Sequence, residues 1–92
     1  MKGTEQVLVD VTIYTRTFCS YCTRAVALLE SKNVPFTEID AGSDPEKRQE
    51  MMQRSGRNTF PQVFIAGKHI GGSDELLALD ARGGLDPLLE RA

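Results

Sequence analysis

Cys19 and Cys22 are the only cysteines in the 92-residue chain, and they stand as Cys19-Ser20-Tyr21-Cys22. Two thiols at this spacing, where a β-branched run gives way to helix formers, suit thiol–disulfide chemistry. Val7–Tyr14 reads as a strand, and Thr23–Glu30 reads as a helix. Cys22, Val26 and Leu29 recur at i, i+4 and i+7 with Ala25 beside them, so one helical stripe is apolar and includes the second cysteine. Cys19 falls at or just before the first helical residue, where main-chain N–H groups have no intrahelical partner. The pattern predicts an accessible first sulfur and a half-buried second one, a pair suited to attack followed by resolution.

An attacking sulfur must be a thiolate, and a free cysteine is only about 3 % ionised at neutral pH. Helix N–H groups and the Arg16 guanidinium, three residues earlier, favour the anion. Ionisation gained this way is largely offset by weaker intrinsic nucleophilicity, at a Brønsted slope of about 0.45. The larger benefit comes when Cys19 has to depart, as a good leaving group.

A structural bridge is a weak alternative, because a loop so short restricts the unfolded chain little. For Cys22 alone, a small core residue on the helix stripe is the competing reading. Apolar residues make up 40 % of the chain, enough for one compact domain over 1–92 without staples, with 1–6 as a flexible N-terminal extension. Met1–Gln6 carries no apolar run like a signal peptide, and no stretch approaches membrane-spanning length. A reducing cytoplasmic setting is therefore expected, where paired cysteines are more often catalytic or metal-binding than structural. A zinc ribbon would need a second ligand pair, and only His69 is left over; in its short strand His69 reads as a surface residue. A net charge of −2 gives no reason to expect nucleic acid as a partner, nothing suggests a membrane, and a monomer is expected.

The elements that must position the pair follow in order. Asn33-Val34-Pro35 ends the first helix, and Phe36–Asp40 reads as a second strand, implying a parallel crossover. A second helix opens either with a Ser43/Glu46 capping box or with Asp44 as cap and Pro45 at the first position. Met51 and Met52 are expected to face the sheet, with Arg48, Glu50 and Arg54 mostly outward and Gly56 as the stop. Gln62–Ile65 has the apolar density of a central strand, and Ala66-Gly67-Lys68 turns into a short strand, His69–Gly71. Ser73 is expected to cap a third helix with Leu76 and Leu79 inward and Gly83 as its end; Asp86-Pro87 starts a last short helix, with Leu85, Leu88 and Leu89 covering the sheet. The predicted order is βαβαββαα.

Three segments carry a resemblance. Tyr14–Cys22 (YTRTFCSYC), Thr59-Phe60-Pro61 and Gly71-Gly72-Ser73-Asp74 resemble, in order and spacing, the three signatures of the glutaredoxin family. The likeness runs through Ala78–Leu89 and is greatest to small bacterial dithiol glutaredoxins. It implies an α/β, thioredoxin-like fold with a four-stranded mixed sheet flanked by helices. It also implies a glutathione-dependent oxidoreductase that reduces protein–glutathione mixed disulfides and protein disulfides, with Cys19 as nucleophile and Cys22 as resolving thiol. The partners would be glutathione, disulfide-containing or glutathionylated client proteins and, indirectly, the glutathione reductase system.

The resemblance further implies a glutathione site made of Arg16, Tyr21, Arg48, Thr59, Phe60, Pro61, Gly72, Ser73 and Asp74. Pro61 would be cis and face the nucleophile, and the Phe60 main chain would pair with the cysteine of glutathione. The N–H groups at Gly72-Ser73-Asp74 would receive the γ-glutamyl carboxylate and Asp74 its ammonium. Arg16 and Arg48 are candidates for the glycine carboxylate, and Arg57 is a weaker one. Ser20 replaces a frequent family proline, restoring an N–H and adding a hydroxyl that could approach the sulfur. Some family members with serine there hold a [2Fe–2S] cluster between two protomers through the first cysteine and bound glutathione, so Cys19 is also a candidate cluster ligand. A thioredoxin-like protein recharged by a flavoprotein reductase is the nearest rival. The absence of tryptophan and the presence of Gly72-Ser73-Asp74 favour the glutathione-dependent reading.

Overall fold

The computed structural model describes residues 9–89; the 1–6 extension and the Val7–Leu8 start of the first predicted strand lie outside them. The elements are β1 (Val11–Thr15), α1 (Ser20–Ser31), β2 (Thr37–Asp40), α2 (Pro45–Ser55), β3 (Gln62–Ile65), β4 (Lys68–Gly71), α3 (Ser73–Ala81) and α4 (Leu85–Leu89). The strands form one sheet in the order β2-β1-β3-β4, with β1 parallel to β2 and antiparallel to β3, and β3 antiparallel to β4. Among the described residues no helix is long and apolar enough to cross a membrane.

Alternation along the two central strands divides the core. Val11 and Ile13 of β1 and Val63 and Ile65 of β3 pack with Ala25 and Leu29 of α1, Leu76 of α3 and Leu85 of α4. Tyr14 and Phe64 point the other way, onto Met51 of α2 and Ala41. Leu29 is fully buried, and truncating such a side chain to alanine costs about 2–5 kcal/mol. At its far end α1 is tied to α3 and α4 through Lys32, whose ammonium lies 2.8 Å from both Asp80 and Asp86.

Three expectations need correction. Met51 is wholly buried but Met52 is 38 % exposed, because adjacent helical residues project about 100° apart and only one can meet the sheet. Glu50 and Arg54 turn back toward the sheet: Tyr14 donates its hydroxyl proton to Glu50 and accepts from Arg54 at 2.8 Å. The cap of α3 is Gly72 rather than Ser73, since Glu75 reaches back to accept the Gly72 N–H at 2.6 Å and Ser73 is already helical. The α2 alternative resolves in favour of Asp44, whose Oδ1 accepts from Glu46 and Lys47 N–H at 3.1 and 3.3 Å ahead of Pro45. Gly56 ends α2 at φ 72, as expected of a glycine stop. The last helix begins at Leu85, ahead of Asp86-Pro87.

Candidate active site

The end of β1 leads to the cysteines through Arg16, Thr17 and Phe18. Gly42 lets this segment approach closely, because a Cβ there would lie 2.5 Å from Arg16 Cβ. Phe18 has a positive φ of 53, and its side chain is completely exposed. Cys19 is the N-cap of α1: its Sγ accepts the Cys22 N–H at 3.2 Å, and its carbonyl accepts the Thr23 N–H at 3.0 Å. A capping side chain folds back over the first turn, and this corrects the expected exposure. Cys19 is 6 % exposed and Cys22 4 %, so the two are almost equally buried.

What marks Cys22 out is its proton. Both thiols are free. The Cys22 thiol is pushed up to about 12, first by burial and then by its contact with Cys19, with the Arg16 main chain opposing. Cys22 is thus a neutral thiol at physiological pH. Ser20, the first residue of α1, is exposed, and the Cys19 sulfur takes its hydrogen bond from Cys22 N–H.

A groove of about 330 Å³ runs beside the pair and gathers most of the remaining candidates: Tyr21, Thr59, Phe60, Pro61, Gly72, Ser73 and Asp74. The β3–β4 hairpin explains this convergence. Pairing of Val63 with Gly71 puts the segment entering β3 beside the segment leaving β4. The Phe60–Pro61 peptide is cis. Ser73 is buried, and its Oγ has no hydrogen-bond partner among the described residues. Asp74 is exposed in the first turn of α3, where the helix dipole favours an anionic ligand or side chain.

The arginines are distributed differently from the expectation. Arg16 lies outside the groove, by the cysteines, with its Nη1 donating to the Thr17 and Phe18 carbonyls at 3.1 and 3.2 Å. Arg48 also lies outside; its Nε and Nη2 donate to Asn58 Oδ1 at 3.0 and 2.9 Å, and its guanidinium sits 5.6 Å from the Phe60 ring centre. Arg57 does line the groove, but its guanidinium is held by both oxygens of Glu75 at 2.8 Å. That pairing and the Gly72 N–H bring Glu75 down to about 2.

Three residues outside the expected set shape the site. Glu75 joins the Arg57 segment to the α3 cap, and its place three residues after Gly72 is the sequence signal that marks it. Gln62, fully buried, donates from Nε2 to the Thr59 carbonyl and Oγ1 at 3.0 Å, fixing the groove wall. His69, expected at the surface, is half-buried with Nε2 2.7 Å from Gln62 Oε1, and burial lowers its affinity for a proton. A polar glutamine inside an apolar strand is the signal for this pair, because such a group requires partners.

Among the described residues no three His, Cys, Asp or Glu side chains converge to hold a metal ion. A [2Fe–2S] cluster takes four ligands, typically thiolates, whereas this chain has two cysteines, one of them a buried neutral thiol. One chain alone therefore does not fit a cluster.

The glutaredoxin family model matches residues 11–70. Glutaredoxin 3 of Escherichia coli strain K12 is 58 % identical over 83 residues, which cover 90 % of this chain and 100 % of that one. The solution structure of glutaredoxin from Brucella melitensis superposes with a TM-score of 0.79 at 59 % identity, covering 90 % of each chain. A crystal structure of a buckwheat glutaredoxin–glutathione complex gives a TM-score of 0.77 at 33 % identity, covering 86 % of this chain and 74 % of that one. With sequence and thioredoxin-like architecture shared along nine-tenths of its length, the chain belongs to the glutaredoxin family of thiol–disulfide oxidoreductases.

Proposed function

We propose that the protein reduces protein–glutathione mixed disulfides, and with them some protein disulfides, using glutathione as the reductant in a reducing cytoplasm. The observation that carries this reading is the one groove holding Tyr21, Thr59-Phe60-Pro61 and the start of α3, with the Ser73 hydroxyl, unpartnered among the described residues, buried in its wall. A buried polar group without a partner suits a ligand able to hydrogen-bond it. On this reading glutathione lies in the groove with its cysteine against the Phe60 main chain. Its γ-glutamyl carboxylate meets the N–H groups of Gly72–Asp74, and Asp74 meets the ammonium. Arg48, beside the Phe60 ring, is the candidate for the glycine carboxylate, while Arg16 stands by the cysteines, away from the groove lining.

The Cys19 thiolate attacks the glutathione sulfur, the bond to the client sulfur breaks, and the client leaves as a thiol after taking a proton. A second glutathione then attacks the Cys19–glutathione disulfide, releasing oxidised glutathione and restoring the Cys19 thiolate. Only one protein thiol takes part in these two steps. A client disulfide is different: Cys19 becomes bonded to the client and Cys22 must displace it. Bonding removes the neighbouring negative charge that helps keep the Cys22 proton in place, so Cys22 becomes more reactive when it is needed.

Deglutathionylation coupled to glutathione reductase tests the proposal on wild type, Cys19→Ser and Cys22→Ser. Turnover is expected to vanish in the first and stay within about tenfold of wild type in the second. Absence of turnover with glutathione in the wild type refutes the proposal, and loss in both variants refutes the one-thiol route.

A further inference from the structure

On the other side of α1 the cysteines open into a second hollow, of about 740 Å³, which shares no lining residue with the glutathione groove. Its near end is Phe18, a fully exposed aromatic next to the nucleophile, whose own φ is positive and whose carbonyl accepts from Arg16. Its floor is Val26 and Ala27 of α1, Glu30 of α1 stands at its far end, and Glu38 of the edge strand β2 lines it with its carboxylate against Thr15. Arg16, at the near end, is turned onto main-chain carbonyls. Glu38 accepts a hydrogen bond from Thr15, and among the described residues neither Glu30 nor Glu38 has a cationic partner.

From this arrangement we infer that the hollow is the client-docking surface, and that it takes an extended polypeptide with an apolar residue beside the scissile cysteine and lysine or arginine further along. The inference rests on the proposed deglutathionylation: with glutathione in one groove, the polypeptide on the other end of the disulfide has this second surface available. Phe18 supplies a fully exposed ring with area to cover, at little conformational cost to the partner. The two carboxylates set the charge preference by complementarity. Glu30 follows Cys19 by eleven positions in and at the start of α1, so it stands about 16 Å away at ~1.5 Å per residue. That distance is spanned by about five extended residues at ~3.3 Å each. The basic residue belongs four or five positions from the client cysteine.

Two glutathionylated peptides test this, both with leucine beside a central cysteine. One carries lysines at four and five positions on either side and the other carries glutamates there, with cysteine–glutathione disulfide as the small substrate. The lysine peptide is expected to have a kcat/KM about fivefold above the glutamate peptide, a gap that narrows as salt rises. Combined Glu30→Lys and Glu38→Lys substitutions should reverse the order of the peptides. Phe18→Ala should slow both about fivefold while changing the small substrate by less than about twofold. Equal rates for the two peptides with normal turnover of the small disulfide overturn the docking surface and leave the proposed function standing. Failure on all three substrates overturns both.

Discussion

The protonation state of Cys22 is the most direct consequence of the site's geometry, and alkylation reads it. A thiol at about 12 is ionised to only ~10⁻⁵ at pH 7, against about 3 % for a free cysteine. Since the thiolate is the reactive form, and a high-pKa thiolate regains part of the loss through higher intrinsic nucleophilicity, iodoacetamide should label Cys22 in the reduced protein about two orders of magnitude more slowly than free cysteine. The rate should rise close to tenfold per pH unit and still be climbing above pH 10. The causes then separate by mutation. In Cys19→Ser the neighbouring sulfur charge is gone while burial persists, so the whole profile should move to lower pH. Mass spectrometry of digested, timed samples distinguishes the two sites in wild type. Labelling of Cys22 at pH 7 within about tenfold of free cysteine would refute the assignment. A profile that levels off by pH 9 would do the same, and an unmoved profile in Cys19→Ser would leave burial as the only cause.

Other consequences concern the frame of the site. Glu75→Gln should cost about 1 kcal/mol at pH 7 in urea denaturation, a small figure because the Arg57 pair is about half exposed and screened. Glu75 is held low, near 2, in the folded chain, so its contribution is present above the ordinary carboxylate range and is lost as pH falls through about 2. The variant and wild type should therefore converge in acid, and an equal gap at both pH values would assign the loss to packing. Asp44→Ala should cost about 1 kcal/mol, or ~4–8 °C in Tm, while Ser43→Ala stays near neutral; equal losses would mean the cap is wrongly placed. Gly71→Ala should destabilise more than either, because φ is 129 and the new Cβ would run into the Glu75 carboxylate, with thermal unfolding as the check. Ser20→Pro should raise stability by about 0.4–1 kcal/mol, because position 20 is the first of α1 and Cys19 already has the extended φ and ψ that precede a proline. A lower Tm for that variant would show that the serine N–H or hydroxyl has a structural role.

Much of the frame is legible in the chain because it repeats locally. The stripe of Cys22, Ala25 and Leu29 follows from helical spacing, and β3 from its apolar density. The gathering of Thr59–Pro61 with Gly72–Asp74 follows once the β3–β4 hairpin is read, since antiparallel pairing brings its two outer ends together. What escapes is whatever two signals compete for, or what distant residues decide. Ser43 and Asp44 are both credible caps, and only the fitted hydrogen bonds choose between them. Met51 and Met52 are equally apolar, yet only one direction off α2 reaches the sheet. Arg57 looks like a free cation for a carboxylate until Glu75, eighteen residues on, is found to occupy it.

The burial of Cys19 is the most instructive of these departures. Helix position alone suggests an exposed sulfur, because the first turn of α1 starts at the surface. Capping reverses that: the sulfur turns inward to take the Cys22 N–H, and the residue that stays outside is Phe18. The reaction does not need a projecting nucleophile if the disulfide is delivered to it along fixed walls. One wall is the Tyr21 and Thr59–Pro61 side, closed by the start of α3. The other is the Phe18 side, which runs along α1 to Glu30 and is lined by Glu38 as well. The cysteines line the second of these, and Tyr21 between them in sequence lines the first, so the site suits linear disulfides whose two halves fit different surfaces, as a mixed disulfide of glutathione and polypeptide does. Selectivity on this view comes from the approach to Cys19, while the hydrogen bond that recesses the sulfur also stabilises it as a leaving group.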